Sequence, residues 1–162
     1  MPIYVKYDGI DGDATSAGHE KWIEVNSFQW GIGRGISDPA GGSADREGST
    51  PSVSEVVVTK TTDSASPNLM RGSLGLAPAG EGKTVVIDFV KTDQGQPEAY
   101  LTLTLTNTLI SGWSLSSGGD RPTESLTLNF TKVEFKNTGM GAANDTGSPD
   151  TAQYDLGAHT GS

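Results

Sequence analysis

Residues 66–84 read SPNLMRGSLGLAPAGEGKT, and the class of the whole fold turns on how this stretch is taken. Its end resembles the phosphate loop G-x-x-x-x-G-K-[ST]: Gly82, Lys83 and Thr84 are in place, and Ala77 stands where the first glycine belongs. A phosphate loop, however, leaves a strand and opens a helix whose free N–H groups and positive dipole end hold the phosphates. Here the order is reversed. Ser66-Pro67 marks a helix start, with serine at the cap and proline at the first helical position, and Leu69, Met70, Ser73 and Leu74 follow on one face until Gly75 stops the helix. After Thr84 comes Val-Val-Ile-Asp-Phe-Val, a β-branched run that reads as a strand and offers an anion no helix N-terminus. The stretch is therefore the one short helix of a β protein, with Leu69, Met70 and Leu74 expected to pack it, and no nucleotide cofactor is expected.

Working outward, the remaining apolar residues alternate. Ile3, Val5 and Tyr7 give a first strand, Val56 and Val58 mark another, and Leu101, Leu103 and Leu105 alternate with threonines in the cleanest pattern of the chain. Two runs change parity. Ile23 and Val25 are followed by Phe28 and Trp30, and Leu126, Leu128 and Phe130 by Val133 and Phe135, which predicts bulges near Asn26-Ser27 and Thr131-Lys132. With that register Gln29 points away from the Phe28 and Trp30 face. Gly112 predicts a further bend or bulge. About seven or eight strands and one two-turn helix imply a mainly β fold, a β-barrel or two-sheet antiparallel architecture with one flanking α-helix.

The 162 residues suit one domain, expected over 1–136, with 137–162 as a Gly/Asn/Thr-rich tail adding a last short strand near 154–156. Residues 31–51, GIGRGISDPAGGSADREGSTP, have no apolar periodicity and read as a long loop. Loops of this length are functional or disordered, so Arg34, Ser37, Asp38, Asp45, Arg46 and Glu47 are candidate contacts of an arm toward another subunit, and a floppy excursion stands as the alternative.

Composition excludes several functions. A net charge of −9 without a basic cluster repels a phosphate backbone, so nucleic acid is not an expected partner. No apolar run is long enough to insert in a membrane, and MPIYVKYDG lacks the basic and apolar regions of a secretory signal. With no cysteine there is no disulfide, thiolate metal site or cysteine nucleophile. Asp8, Asp11 and Asp13 invite a calcium reading, but counting from either Asp8 or Asp11 the twelfth position is His19 or Trp22 instead of glutamate, so a polar turn is expected. The two histidines, His19 and His159, are scattered and read as surface residues, and no G-x-S-x-G elbow occurs. Neither a catalytic residue nor a metal site is expected.

Four stretches carry a family resemblance: Asp11-Gly-Asp-Ala with His19-Glu-Lys-Trp-Ile-Glu-Val25; Ser27-Phe-Gln-Trp-Gly31; Thr59-Lys60 with Ser66-Pro-Asn-Leu-Met70; and Asp120-Arg-Pro-Thr-Glu-Ser-Leu-Thr-Leu-Asn-Phe130. In this order and spacing they resemble haemolysin-coregulated protein (Hcp), the tube subunit of bacterial type VI secretion systems. The resemblance implies a non-enzymatic β-barrel that forms homohexameric rings, which stack into a tube expelled by a contractile sheath. It also implies that effectors ride in the ring lumen and that tail-spike tip and sheath proteins are partners. Such a protein is cytoplasmic in the producing bacterium, then secreted without a cleaved signal peptide. In a ring, Gln29 is the candidate lumen-facing effector contact, with a plain surface glutamine as the alternative. Two other readings stay open: a phage-like tail-tube protein, and a solitary β-sandwich that binds a ligand through Trp22, Trp30 and Trp113.

Overall fold

The computed structural model describes residues 1–37, 47–93, 96–138 and 150–162. In chain order the elements are β1 (Ile3–Tyr7), β2 (Ile23–Val25), β3 (Ser27–Gln29), β4 (Ile32–Gly33), β5 (Ile36–Ser37), β6 (Glu47–Gly48), β7 (Ser52–Val53) and β8 (Val56–Thr61). The helix α1 (Ser66–Ser73) follows, then β9 (Lys83–Asp93), β10 (Gln96–Ser116), β11 (Thr123–Asn129), β12 (Lys132–Asn137), β13 (Asp150–Asp155) and β14 (Thr160–Gly161).

Every strand pairing is antiparallel. β2 pairs with β1, β1 with β9 and β9 with β10; on its other edge β10 pairs with β11 and β12, β11 pairs with β8, and β8 with β3. Since β2 runs into β3 through the single residue Asn26, whose N–H donates to the Thr59 carbonyl at 2.6 Å, the ladder returns to its starting strand and the barrel closes. Closure hides edges that would otherwise recruit foreign strands. The strands beyond the ring, β13 and β14, extend the sheet outward from β12, so that sheet reaches into the segment whose composition suggested a tail.

Three corners make the closure, and each shifts the parity of the buried residues. At Asn26 the buried set passes from Ile23 and Val25 to the half-buried Phe28 and Trp30; at Thr131 it passes from Leu126, Leu128 and Phe130 to Val133. The parity changes read from the sequence are present, but their cause is a strand crossing from one sheet to the other instead of an extra residue within one strand. The third corner is Asn107, at φ 52° in the long β10, where the register with β9 shifts between Leu105 and Thr108. Asparagine tolerates this left-handed conformation better than most residues. At Gly112 the expected irregularity is present: the register with β11 slips between Ile110 and Gly112.

The core holds Val5, Tyr7, Ile23, Val56, Val58, Leu69, Val85, Ile87, Leu103, Leu105, Leu126 and Leu128. Each such aliphatic side chain contributes about 1.5 to 3 kcal/mol by leaving water. The Tyr7 hydroxyl, 3.4 Å from the Thr108 carbonyl that accepts from it, sits deep enough that burial pushes its pKa to about 12.

Helix α1 starts one residue earlier than the sequence suggests: the cap is Ala65, with no side-chain capping bond, so Ser66 is not the cap but opens the first turn ahead of Pro67, its hydroxyl taken up by Glu124 instead. It buries Ser66, Leu69 and Gly72, an i, i+3 stripe, so the expected packing face is corrected: Leu69 is fully buried, whereas Met70 and Leu74 are 47% and 63% exposed. The stripe is narrow because the helix approaches closely. A Cβ on Gly72 would lie 2.7 Å from Ile110 Cδ1 and 2.8 Å from Ala79 Cβ, which rotates larger side chains outward.

Candidate functional site

The barrel presents one face of unusual composition. Along β3, β8, β11 and the end of β10, the outward residues line up by register into rows: Gln29, Val57, Thr127 and Gly112; then Ser27, Thr59, Ser125 and Ser114; then Thr61, Thr123 and Ser116. Ser27 Oγ and Thr59 Oγ1 are hydrogen-bonded at 2.5 Å across the strands. None of these residues is charged, although the chain carries 11 basic and 20 acidic residues. The outer face of the other sheet differs: Lys6, Val86, Thr104 and Glu134 share one row, and Glu24, Tyr4, Asp88, Thr102 and Lys136 the next. Gln29 is exposed on this face, opposite Phe28 and Trp30, and at the edge of the rows the exposed Glu55 carboxylate accepts from the Ser111 hydroxyl.

Gln29 leads directly into the arm. What the sequence suggested as a loop over 31–51 is, in its described parts, an antiparallel ribbon: Ile32 pairs with Val53 and Gly33 with Ser52, then Ile36 with Gly48 and Ser37 with Glu47. Ser54 and Ser49 pin the two ladders, the Ser54 hydroxyl accepting from the Gly31 N–H and the Ser49 hydroxyl from the Gly35 N–H, each at 2.9 Å. Arg34 lies across Gly48, where a Cβ would meet its guanidinium at 2.8 Å. Ile32 and Ile36 stand 59% and 52% exposed on this ribbon. Of the arm residues singled out in the sequence, Asp38, Asp45 and Arg46 lie outside the described residues. The helix residues Leu69, Met70 and Leu74 belong to a different part of the barrel, where α1 packs on β10.

A buried polar cluster holds the helix there. Lys60 Nζ shares its three N–H groups among four oxygens: Glu124 Oε2 at 3.0 Å, Asp63 Oδ1 at 2.8 Å, Ser66 Oγ at 3.2 Å and the Thr61 carbonyl at 3.0 Å. Ser66 Oγ donates to Glu124 Oε2 at 2.5 Å, and Trp113 Nε1 to Glu124 Oε1 at 2.8 Å. Burial by itself pushes the Glu124 carboxyl up, but the bonds from Ser66, Trp113 and Lys60, together with the Lys60 charge, outweigh it and hold the group below its ordinary value. Sequence reading missed this cluster. Its only trace is charge on the inward parity of two strands, Lys60 after Val56 and Val58, and Glu124 before Leu126 and Leu128.

His19 is corrected from a surface residue to a buried one. Its Nε2 lies 2.8 Å from Asp88 Oδ2, its ring stacks on Tyr4 and meets Trp22 edge-on, and Asp88 Oδ1 accepts from Thr102 Oγ1 at 2.7 Å. The group fastens the 8–22 segment to the barrel. Asp13 accepts from the Ser64 hydroxyl and N–H, and these bonds hold its carboxyl below the ordinary range. Among the described residues no group of three or more metal-ligating side chains converges. Trp30 and Trp113 pack against the main core and Trp22 against the small cluster of Tyr4, Ala14 and Val90, so they form no exposed aromatic platform.

The phosphate-loop look-alike dissolves in the structure. Lys83 opens β9, and Gly82 is glycine because the Asn107 side chain occupies the space a Cβ would need.

Fold and surface together define a closed, mainly β barrel with one flanking helix and a projecting ribbon. The model of the type VI secretion system effector family Hcp matches residues 4–136, and the chain belongs to the Hcp family. Hcp1 from Salmonella typhimurium is 27% identical, superposes with a TM-score of 0.77, and is matched over 99% of this chain and 98% of its own. Hcp2 from the same organism is 26% identical with a TM-score of 0.67, over 96% and 95%. A further structure, described as a type six secretion system protein, shares the fold at 24% identity and a TM-score of 0.87, over 99% of both chains. No curated protein matches the sequence. As a member of this family the chain is a tube or effector protein of type VI secretion, and a secreted one. No helix of the described residues is long and apolar enough to cross a membrane.

Proposed function

We propose that the chain is a non-enzymatic subunit that closes homohexameric rings, that these rings stack into a tube expelled by the contractile sheath behind a tail-spike tip, and that effectors travel in the ring lumen. The observation that carries this reading is the family match over residues 4–136, which takes in the barrel, the arm and both buried polar clusters. In it, the Gln29 face turns toward the lumen, and the ribbon bearing Arg34 and Ser37 reaches a neighbouring subunit. Exposed Ile32 and Ile36 on that ribbon suit such a contact, since isolated apolar groups of this size gain about 1.5 to 3 kcal/mol each when covered. The subunit is made in the cytoplasm and leaves through the apparatus itself.

Deletion of residues 35–48 tests the arm. Light scattering coupled to size-exclusion chromatography is expected to give a folded barrel with weakened ring assembly or stacking. Assembly identical to that of the intact chain would remove the arm from the account.

A further inference from the structure

We propose that the arm of one copy docks head to tail on a second copy, its Arg34 guanidinium entering a charged cavity at the far end of that copy's barrel and pairing there with Glu24. The inference rests on the arm reading above and adds the surface that receives the arm and the contact that holds it.

Arm and cavity sit at opposite ends of the same pair of strands. At one end Gln29 pairs with Val57, and the arm leaves through Gly31, whose N–H donates to the Ser54 hydroxyl. At the other end, past the Ser27 and Thr59 pair, Asn26 Nδ2 donates to Thr61 Oγ1 at 3.2 Å. There a cavity of about 340 Å³ opens, lined by Asp13, Glu24, Asn26, Thr61, Asp63 and Arg121. A projection at one end of a subunit and a recess at the other make a heterologous contact, which repeats along one axis, here the strand direction. Since a strand rises about 3.3 Å per residue, Arg34 stands roughly 10 Å beyond Gly31, far enough to enter the end of a copy stacked on it.

The side chains of the cavity decide what enters it. Asp13 is taken by Ser64 and Asp63 by Lys60, whereas among the described residues nothing takes up the exposed Glu24 carboxylate. On the arm, Arg34 is exposed and has no ion-pair partner among the described residues. Arg121 in the same lining opposes a bare metal ion, while the three carboxylates still favour a cation over an anion. With its Nδ2 held by Thr61, Asn26 keeps its amide oxygen for a further donor. A guanidinium can donate to that oxygen and to a carboxylate at once, which suits arginine better than the point charge of lysine. One exposed pair of this kind is weak, but every subunit of a ring contributes one, and all must break together before a ring leaves the stack.

The test reverses each charge in the full-length chain and follows ring stacking against protein concentration by light scattering and negative-stain imaging. Arg34→Glu and Glu24→Arg are each expected to fold and to form rings, and to need at least about tenfold more protein to stack. Mixed in equal amounts, the two kinds of ring are expected to stack again, because each arm then meets a cavity of opposite charge. The chain carrying both reversals should stack like the intact one. Single variants that stack like the intact chain would overturn the inference, as would a mixture and a double variant that do not recover. If deletion of residues 35–48 weakens stacking all the same, the arm reading stands and only its docking place is wrong. A deletion without effect removes the arm reading and the inference with it. Should a reversal prevent folding, Arg34→Gln and Glu24→Gln carry the comparison: each is expected to weaken stacking, and the two together no more than either alone, whereas additive losses would overturn the inference.

Discussion

Lys60 Nζ lies 3.0 Å from Glu124 Oε2 with neither side chain exposed, and this pair joins β8 to β11 directly beneath the start of α1. A buried ion pair need not add much net stability, but removing one member leaves an uncompensated charge. Lys60→Met and Glu124→Gln are each expected to cost about 3 to 5 kcal/mol in urea unfolding, and the double variant clearly less than the sum. Additive losses would show that the two side chains are not coupled.

The same carboxylate sets an acid limit. Because the folded protein holds Glu124 below its ordinary value, the resulting stability is present above the unfolded value, about 4.3, and is lost as pH falls through the depressed folded value. Melting temperatures measured from pH 6 down to about 2 should therefore drop more steeply below about 4 for the intact chain than for the Glu124→Gln variant. Parallel curves would deny Glu124 this role.

Helix α1 provides a paired comparison. Leu69→Asp places a charge in the fully buried contact with the barrel and is expected to abolish folding or to destabilise it by several kcal/mol, roughly the penalty of burying an unpaired carboxylate. Leu74→Asp, at an exposed position, should fold with a change within about 0.5 kcal/mol, and any effect on ring assembly would then identify Leu74 as a contact between subunits. Circular dichroism melts separate the two outcomes.

A third contrast concerns the phosphate-loop look-alike. Lys83→Ala is expected to leave stability and assembly largely unchanged, whereas Gly82→Val forces the Asn107 side chain from its place at the β10 corner and should cost about 1 to 3 kcal/mol by overpacking. Nucleotide-dependent stabilisation of the intact chain in a thermal shift assay would contradict this reading.

Much of this fold is legible in the sequence because the strands alternate cleanly: inward Leu126 and Leu128, Leu103 and Leu105, and Val56 and Val58 each keep one face. The parity changes at Asn26 and Thr131 are legible as well. Their meaning is not, since a bulge and a sheet-to-sheet corner produce the same shift in one strand and differ only in the pairing partner. Helix packing at Met70 and Leu74 is not legible because a helical wheel assigns the widest apolar arc to the core. In the structure the approach of Gly72 to Ile110 and Ala79 narrows the contact to one stripe. The burial of His19 is not legible because its partner Asp88 lies in a distant strand, and no local pattern announces a pairing that only the assembled fold creates. Gln29 was placed correctly on the face away from Phe28 by parity alone. The neutral rows around it needed the register of four strands.

The central claim, that this chain is a ring-forming tube subunit, is tested most directly by negative-stain electron microscopy of the purified full-length protein. Class averages are expected to show six-fold rings with an open centre, alone or in short stacks. A population of monomers at every concentration examined, or rings of a different symmetry, would contradict it.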